Sequence, residues 1–200
     1  MTIAAPAAGF RRAAAWVAAL NLAYFGVEFA VALTIGSVAL FADSVDFLED
    51  TSINLLILLA LGWTAAARAR VGMVLAGLLL VPGLATLWTA AQKFAHPVTP
   101  APLPLTLAAL GALAVNLTCA LILARHRGHS GSLSKAAFLS ARNDALANIG
   151  IIAAGLATAF LWRSPWPDLA VGLAIALVNL DAAKDVWETA REERASQVVA

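Results

Sequence analysis

The chain has 200 residues, is 62% hydrophobic with a mean hydropathy of +0.84, and carries charge on only 12% of its residues. A soluble domain of this size needs far more polar surface, so the composition excludes a freely soluble protein and points to the bilayer. With a formal net charge of +1, nucleic acid is not an expected partner. The single cysteine, Cys119, lies in an apolar run and has no second thiol to pair with.

In chain order, a basic pair, Arg11 and Arg12, precedes an apolar run that continues past Glu28 to Ile35. That run is too long for the core of a cleaved leader and reads as a retained first span. A spanning helix needs roughly 20 mostly apolar residues. The qualifying windows are Ala13–Thr34, Ser37–Trp63, Val71–Gln92, Leu103–Ala124, Leu133–Trp162 and Pro167–Trp187. Backbone hydrogen bonds must be satisfied internally in lipid, so each window is predicted to be helical. Gly36 marks the first turn, Pro82–Gly83 is expected to bend the third helix, and His126–Ser134 reads as a flexible loop. Trp63, Trp88, Trp162 and Trp166 read as interface anchors.

Arginine and lysine set the orientation. Arg11, Arg12, Arg68, Arg70, Arg125, Arg127, Lys135, Lys184, Arg191 and Arg194 fall on one side of a six-span arrangement, Lys93 and Arg163 on the other, and Arg142 inside a span. Cytoplasmic loops carry the excess of basic residues. The expectation is therefore an all-α membrane protein, a six-transmembrane-helix bundle with both termini cytoplasmic, multi-pass in the cell's inner membrane. Residues 1–12 form an N-terminal tail, 13–187 the transmembrane domain and 188–200 a C-terminal tail.

A weak internal regularity accompanies the spans. The second window reads Asp46-x3-Asp50-x3-Asn54 and the fifth Ser140-x3-Asp144-x3-Asn148, each after a span carrying an Asn-Leu pair at Asn21 or Asn116. Halves offset by three spans would have inverted topology, a common transporter design. A chance match of so few residues is the competing reading.

The chemistry is concentrated in the second window. Asp43, Asp46, Glu49 and Asp50 share one span, and each aspartate near a helix centre costs roughly 2.5–3.5 kcal/mol to insert. Packing alone does not account for that. At 100° per residue, Asp43, Asp46 and Asp50 fall within about 60° of one another, with Glu49 at the edge of the face. Ionised and unpaired they would repel, and relief comes from protonation, a basic partner or a bound cation. Arg142 points about 160° away from Asp144 on its own helix, although Glu28 or Glu49 on a neighbour is within its reach, and one arginine cannot balance so many acids. If the second and fifth helices pack together, Asp46, Asp50, Asp144 and Ser140 offer four oxygens to one divalent ion. The competing reading of these residues is a buried hydrogen-bonded network with no ion.

Other positions read more simply. His126 and His129 lie in a cytoplasmic loop, as metal collectors or as ordinary solvated residues. Asp168 sits at the start of the sixth span, where a carboxylate caps a helix. Asp181 and Asp185 read as surface partners of Lys184 or Arg191.

These residues resemble the cation diffusion facilitator family over nearly the whole chain. "GSVALFADSVDFLED" is similar to the family's second span, with Asp46 and Asp50 at the paired ligand positions. "SARNDALANIGIIAAG" is similar to the fifth, with Ser140 and Asp144 at that pair, and "PWPDLAVGLAIALVNLDAAKDVW" to the sixth, with Asp168 at its acid. The resemblance implies a six-span exporter of a divalent cation (Zn, Mn, Co or Fe) as substrate, with protons as exchange partner and no other cofactor. It also implies a short form without the family's cytoplasmic C-terminal domain, so that any homodimer rests on membrane contacts. The family usually has His or Asp where Ser140 stands. An all-oxygen site leans toward harder ions such as Mn²⁺, and Asn143, Asn148 or water are further donors. Two other functions compete. One is an intramembrane Mg-dependent enzyme acting on a prenyl diphosphate; the other is a non-transporting accessory protein of the same fold.

Overall fold

The structure is a computed structural model. It describes residues 5–60, 84–125, 131–178 and 180–181, and for helical residues 5–8, 57, 60 and 131–142 the backbone only. The described residues form six helices and no strand. They are α1 (Ala5–Ile35), α2 (Val38–Ala60), α3 (84–95), α4 (Pro102–Ala124), α5 (Gly131–Phe160) and α6 (Trp166–Val178). Most described starts and ends fall within about three residues of the predicted windows, but α1 begins at Ala5, eight residues before the expected Ala13 and within the expected N-terminal tail, and α5 is helical from Gly131, within the segment expected to be a loop. The bend expected at Pro82–Gly83, the histidines His126 and His129, Trp63 and the segment from 182 onward lie outside the described residues.

By length and apolarity, α1 over Gly9–Ile35, α4 over Pro102–Ala124 and α5 over Asn143–Phe160 can each cross a bilayer. The four carboxylates of α2 set it apart from these three. Large apolar side chains such as Trp16, Leu33, Leu107, Leu121 and Phe160 are exposed, as the lipid-facing surface of a membrane bundle requires. Trp88, Trp162 and Trp166 are also exposed, consistent with interface anchoring.

The interior is built largely from alanine. Lipid tails are as apolar as leucine, so membrane helices associate through close packing of small residues and through interhelical polar contacts. Phe10, Ala14 and Val17 of α1 meet Cys119, Ala120 and Leu123 of α4. A second cluster joins Ala32, Ala39, Leu40 and Ala42 to Leu105, Ala108, Ala109, Ile151 and Ile175. A third joins Val38, Ala90 and Leu169. Among α1, α2, α4 and α5, the most extensive packing is of α1 on α2 and of α4 on α5.

The α1–α2 turn follows from two residues. Gly36 has φ +66°, a left-handed conformation that favours glycine, and the Ser37 amide donates to the Ala32 carbonyl at 3.0 Å. This is a Schellman ending. Ser37 then caps α2, its Oγ accepting from the Leu40 amide at 3.0 Å.

Asp168, at the start of α6, completes that cap from across the bundle. Its Oδ2 accepts from the Val38 amide at 2.9 Å, and its Oδ1 from the Ser37 hydroxyl and from the Ala39 amide at 3.4 Å. Lys93 Nζ at the end of α3 donates to Asp168 Oδ2 at 2.7 Å and to the Gly36 carbonyl at 2.7 Å. This end cap corrects the expectation that Asp168 serves only its own helix: it caps a different one. Gly172, one turn along α6, lies so close to α2 that a Cβ there would stand 2.7 Å from the Ala39 nitrogen.

Candidate metal centre

The polar face of α2 looks inward. Asp43 is fully buried, Asp50 is 5% exposed and Asp46 9%, while Glu49 is half-buried, at the edge where the helix wheel places it. From the start of α2, Asp46 and Asp50 lie about 12 and 18 Å along the axis, so both sit deep in a core of about 30 Å.

α5 packs beside α2 and presents Asp144, which is half-buried. Asp46 and Asp144 line one cavity of about 460 Å³, whose wall includes Gly150 and Ala147 on α5 and Val171, Ala174 and Ile175 on α6. The structure thus brings two of the four sequence-predicted residues, Asp46 and Asp144, to one cavity wall; Asp50 lies one turn along α2 from Asp46 and is not part of that wall. The backbone of Ser140 lies on α5, one turn from Asp144, and its side chain, like that of Arg142, is outside the described residues. Asn143, at the same cavity, is exposed. Among the described residues, no three His, Cys, Asp or Glu side chains converge closely enough to hold a metal ion.

Amides brace the carboxylates. Asn21 of α1 donates to Asp50 Oδ2 at 3.4 Å, and its own oxygen accepts the thiol of Cys119 on α4 at 3.7 Å. Asn54 donates to the Asp50 carbonyl at 2.8 Å. Asn148 of α5 donates to Asp43 Oδ1 at 3.3 Å and to the Asp144 carbonyl at 2.9 Å. These bonds hold one oxygen of Asp50 and one of Asp43. Tyr24 donates to the Ala108 carbonyl at 2.6 Å and packs on Phe47 at 5.2 Å, which fixes α1 against α2 and α4.

Sequence reasoning passed over two features. Glu28 appeared only as a partner within reach of Arg142, yet it is fully buried against Asp43; its position on the inward face of an otherwise apolar span was the available signal. Lys93 was counted as a loop cation, and it is 6% exposed, paired with Asp168. Its spacing from Asp168 carries no local pattern.

The chemistry of the site is that of hard oxygen donors in a low-dielectric interior, a combination that attracts cations. No curated protein matches the chain in sequence. A family model, the cation efflux transmembrane domain, matches residues 15–192. That match runs through every described helix, and the chain belongs to the cation efflux family, the cation diffusion facilitators, whose members are membrane-embedded transporters of divalent metal cations and not enzymes.

Proposed function

We propose that the chain is a six-span secondary transporter of the cell membrane, with both termini inside, that exports a divalent cation from the cytoplasm in exchange for protons. Asp46, Asp50 and Asp144 hold the ion, with Ser140 as the fourth candidate donor. The observation that carries this reading is the cavity onto which Asp46 of α2 and Asp144 of α5 both open.

The physical logic is competitive. Carboxylates crowded in a dry interior do not stay ionised and unpaired; a divalent cation or protons must offset them. One set of oxygens therefore takes M²⁺ in one state and H⁺ in the other. The α5 residues that line the cavity, Asn143 to Gly150, lie around the middle of that helix, the depth at which a transporter with alternating access holds its cargo. Movement of one helical repeat against the other around the carboxylates would then expose them to the far side. The all-oxygen donor set favours Mn²⁺ among the family's cargoes.

Reconstituted flux across a panel of Zn²⁺, Mn²⁺, Co²⁺ and Fe²⁺, with internal pH recorded, tests this. Metal-driven proton movement is expected in the parent protein. Its loss is expected in Asp50→Asn and in Asp144→Asn, with insertion unchanged. Parental rates in either variant would remove that residue from the mechanism.

A further inference from the structure

A second group of acids sits outside the cavity. Glu28 on α1, Asp43 on α2 and Asn148 on α5 are each fully buried. The Glu28 carboxyl lies against that of Asp43, and Asn148 Nδ2 donates to Asp43 Oδ1 at 3.3 Å. Four oxygens in this group, both of Glu28, Asp43 Oδ2 and Asn148 Oδ1, are buried and meet no hydrogen-bond donor among the described residues. Buried polar atoms are satisfied in all but a few instances, and an orphaned set from three helices in one place asks for a ligand.

The surrounding described groups do not supply the missing charge. Tyr24 has given its hydroxyl to the Ala108 carbonyl at 2.6 Å. Lys93 is held by Asp168. The next carboxylate, Asp46, adds negative charge toward Glu28. A single proton shared between the two carboxyl groups would engage Asp43 Oδ2 and one oxygen of Glu28. It would leave the other Glu28 oxygen and Asn148 Oδ1 orphaned, and one negative charge uncompensated. A divalent cation would neutralise both carboxylates at once, and carboxylate and amide oxygens are its usual donors.

We propose that Glu28, Asp43 and Asn148 form a second, occluded site for a divalent cation, separate from the cavity site. Its oxygen donors suit a hard ion such as Mn²⁺ or Mg²⁺. The inference deepens the transport reading, because the ion belongs to the class of the proposed cargo. The second site is held by α1 as well as α2 and α5, so its occupancy ties α1 to the two helices of the cavity site.

The test is equilibrium dialysis of the full-length protein in detergent against Mn²⁺ at neutral pH, with bound metal counted per chain by elemental analysis. Two ions are expected for the parent. Glu28→Gln and, independently, Asp43→Asn are each expected to bind one. The double variant Asp50→Asn/Asp144→Asn is expected to lose the other ion and keep this one. One ion in the parent, retained in Glu28→Gln and lost in the double variant, would overturn the second site and leave the transport reading standing. Such a result would assign the carboxyl pair to a proton or to a basic side chain. One ion lost in Glu28→Gln and retained in the double variant would support the occluded site and sink the cavity site instead. Because Gln and Asn preserve shape, thermal unfolding of each variant checks that a lost ion is not a lost fold.

Discussion

Replacing Asp168 by alanine removes several interactions at once: the ion-pair partner of Lys93, the acceptor for the Ser37 hydroxyl, and the acceptors for the amides of Val38 and Ala39. The pair is desolvated, with side chains 5% and 0% exposed. Removing one partner of such a pair leaves a buried charge and costs about 3–5 kcal/mol. Loss of the helix cap contributes about 1 kcal/mol, part of which is the same energy counted through the same carboxylate. About 4 kcal/mol is the expected total. Lys93→Met is gentler, because Asp168 keeps the Ser37 hydroxyl and two amides as donors; about 1.5–3 kcal/mol is expected for the lost charge-assisted bond. For a chain of this size 1 kcal/mol moves Tm by about 2–4 °C, so thermal unfolding in detergent should fall by roughly 8–16 °C in Asp168→Ala and by roughly 3–12 °C in Lys93→Met. Adding Lys93→Met to Asp168→Ala should recover part of the loss, since it removes the orphaned ammonium. Equal stability of Asp168→Ala and the parent, or greater damage from Lys93→Met than from Asp168→Ala, would refute the assignment of Asp168 as the cap of α2.

Gly172→Ala is expected to be destabilising by about 1–3 kcal/mol, the usual cost of overpacking, because the new methyl meets backbone atoms of Val38 and Ala39 that have no room to rotate away; a melting point at or above the parent's would show that α6 stands farther from α2. Cys119, with no exposed surface and its thiol on Asn21, should resist a membrane-permeant maleimide in the native protein and react once unfolded. Rapid native labelling would place α4 away from α1.

The fold was legible because its signal is repetitive. Windows of about 20 apolar residues located α1, α4 and α5, and a 100° period placed Asp43, Asp46 and Asp50 on one face before any neighbour of that face was known. Gly36 announced its own turn. The Asp168 cap was not legible, because its donors lie 130 and 75 residues away and no local period relates them. The same holds for Asn21, whose contact with Asp50 depends on how two helices are rotated against each other. Asp144 stands out in the sequence because it falls where Asp50 falls in the other half of the pattern, as Ser140 falls where Asp46 does; Glu28, having no counterpart in that pattern, does not.

The 130 residues between Val38 and Asp168 also have a meaning in time. Synthesis proceeds at about 5–20 residues per second, so the start of α2 leaves the ribosome roughly 6–26 s before the carboxylate that will receive its amides. During that interval the first two helices must wait at the membrane with Ser37 as their sole local cap and Lys93 without its counterion. The last helix is thus a clasp for the first hairpin, and nascent chains halted before residue 168 should present a looser, more protease-sensitive α1–α2 turn than chains released after it.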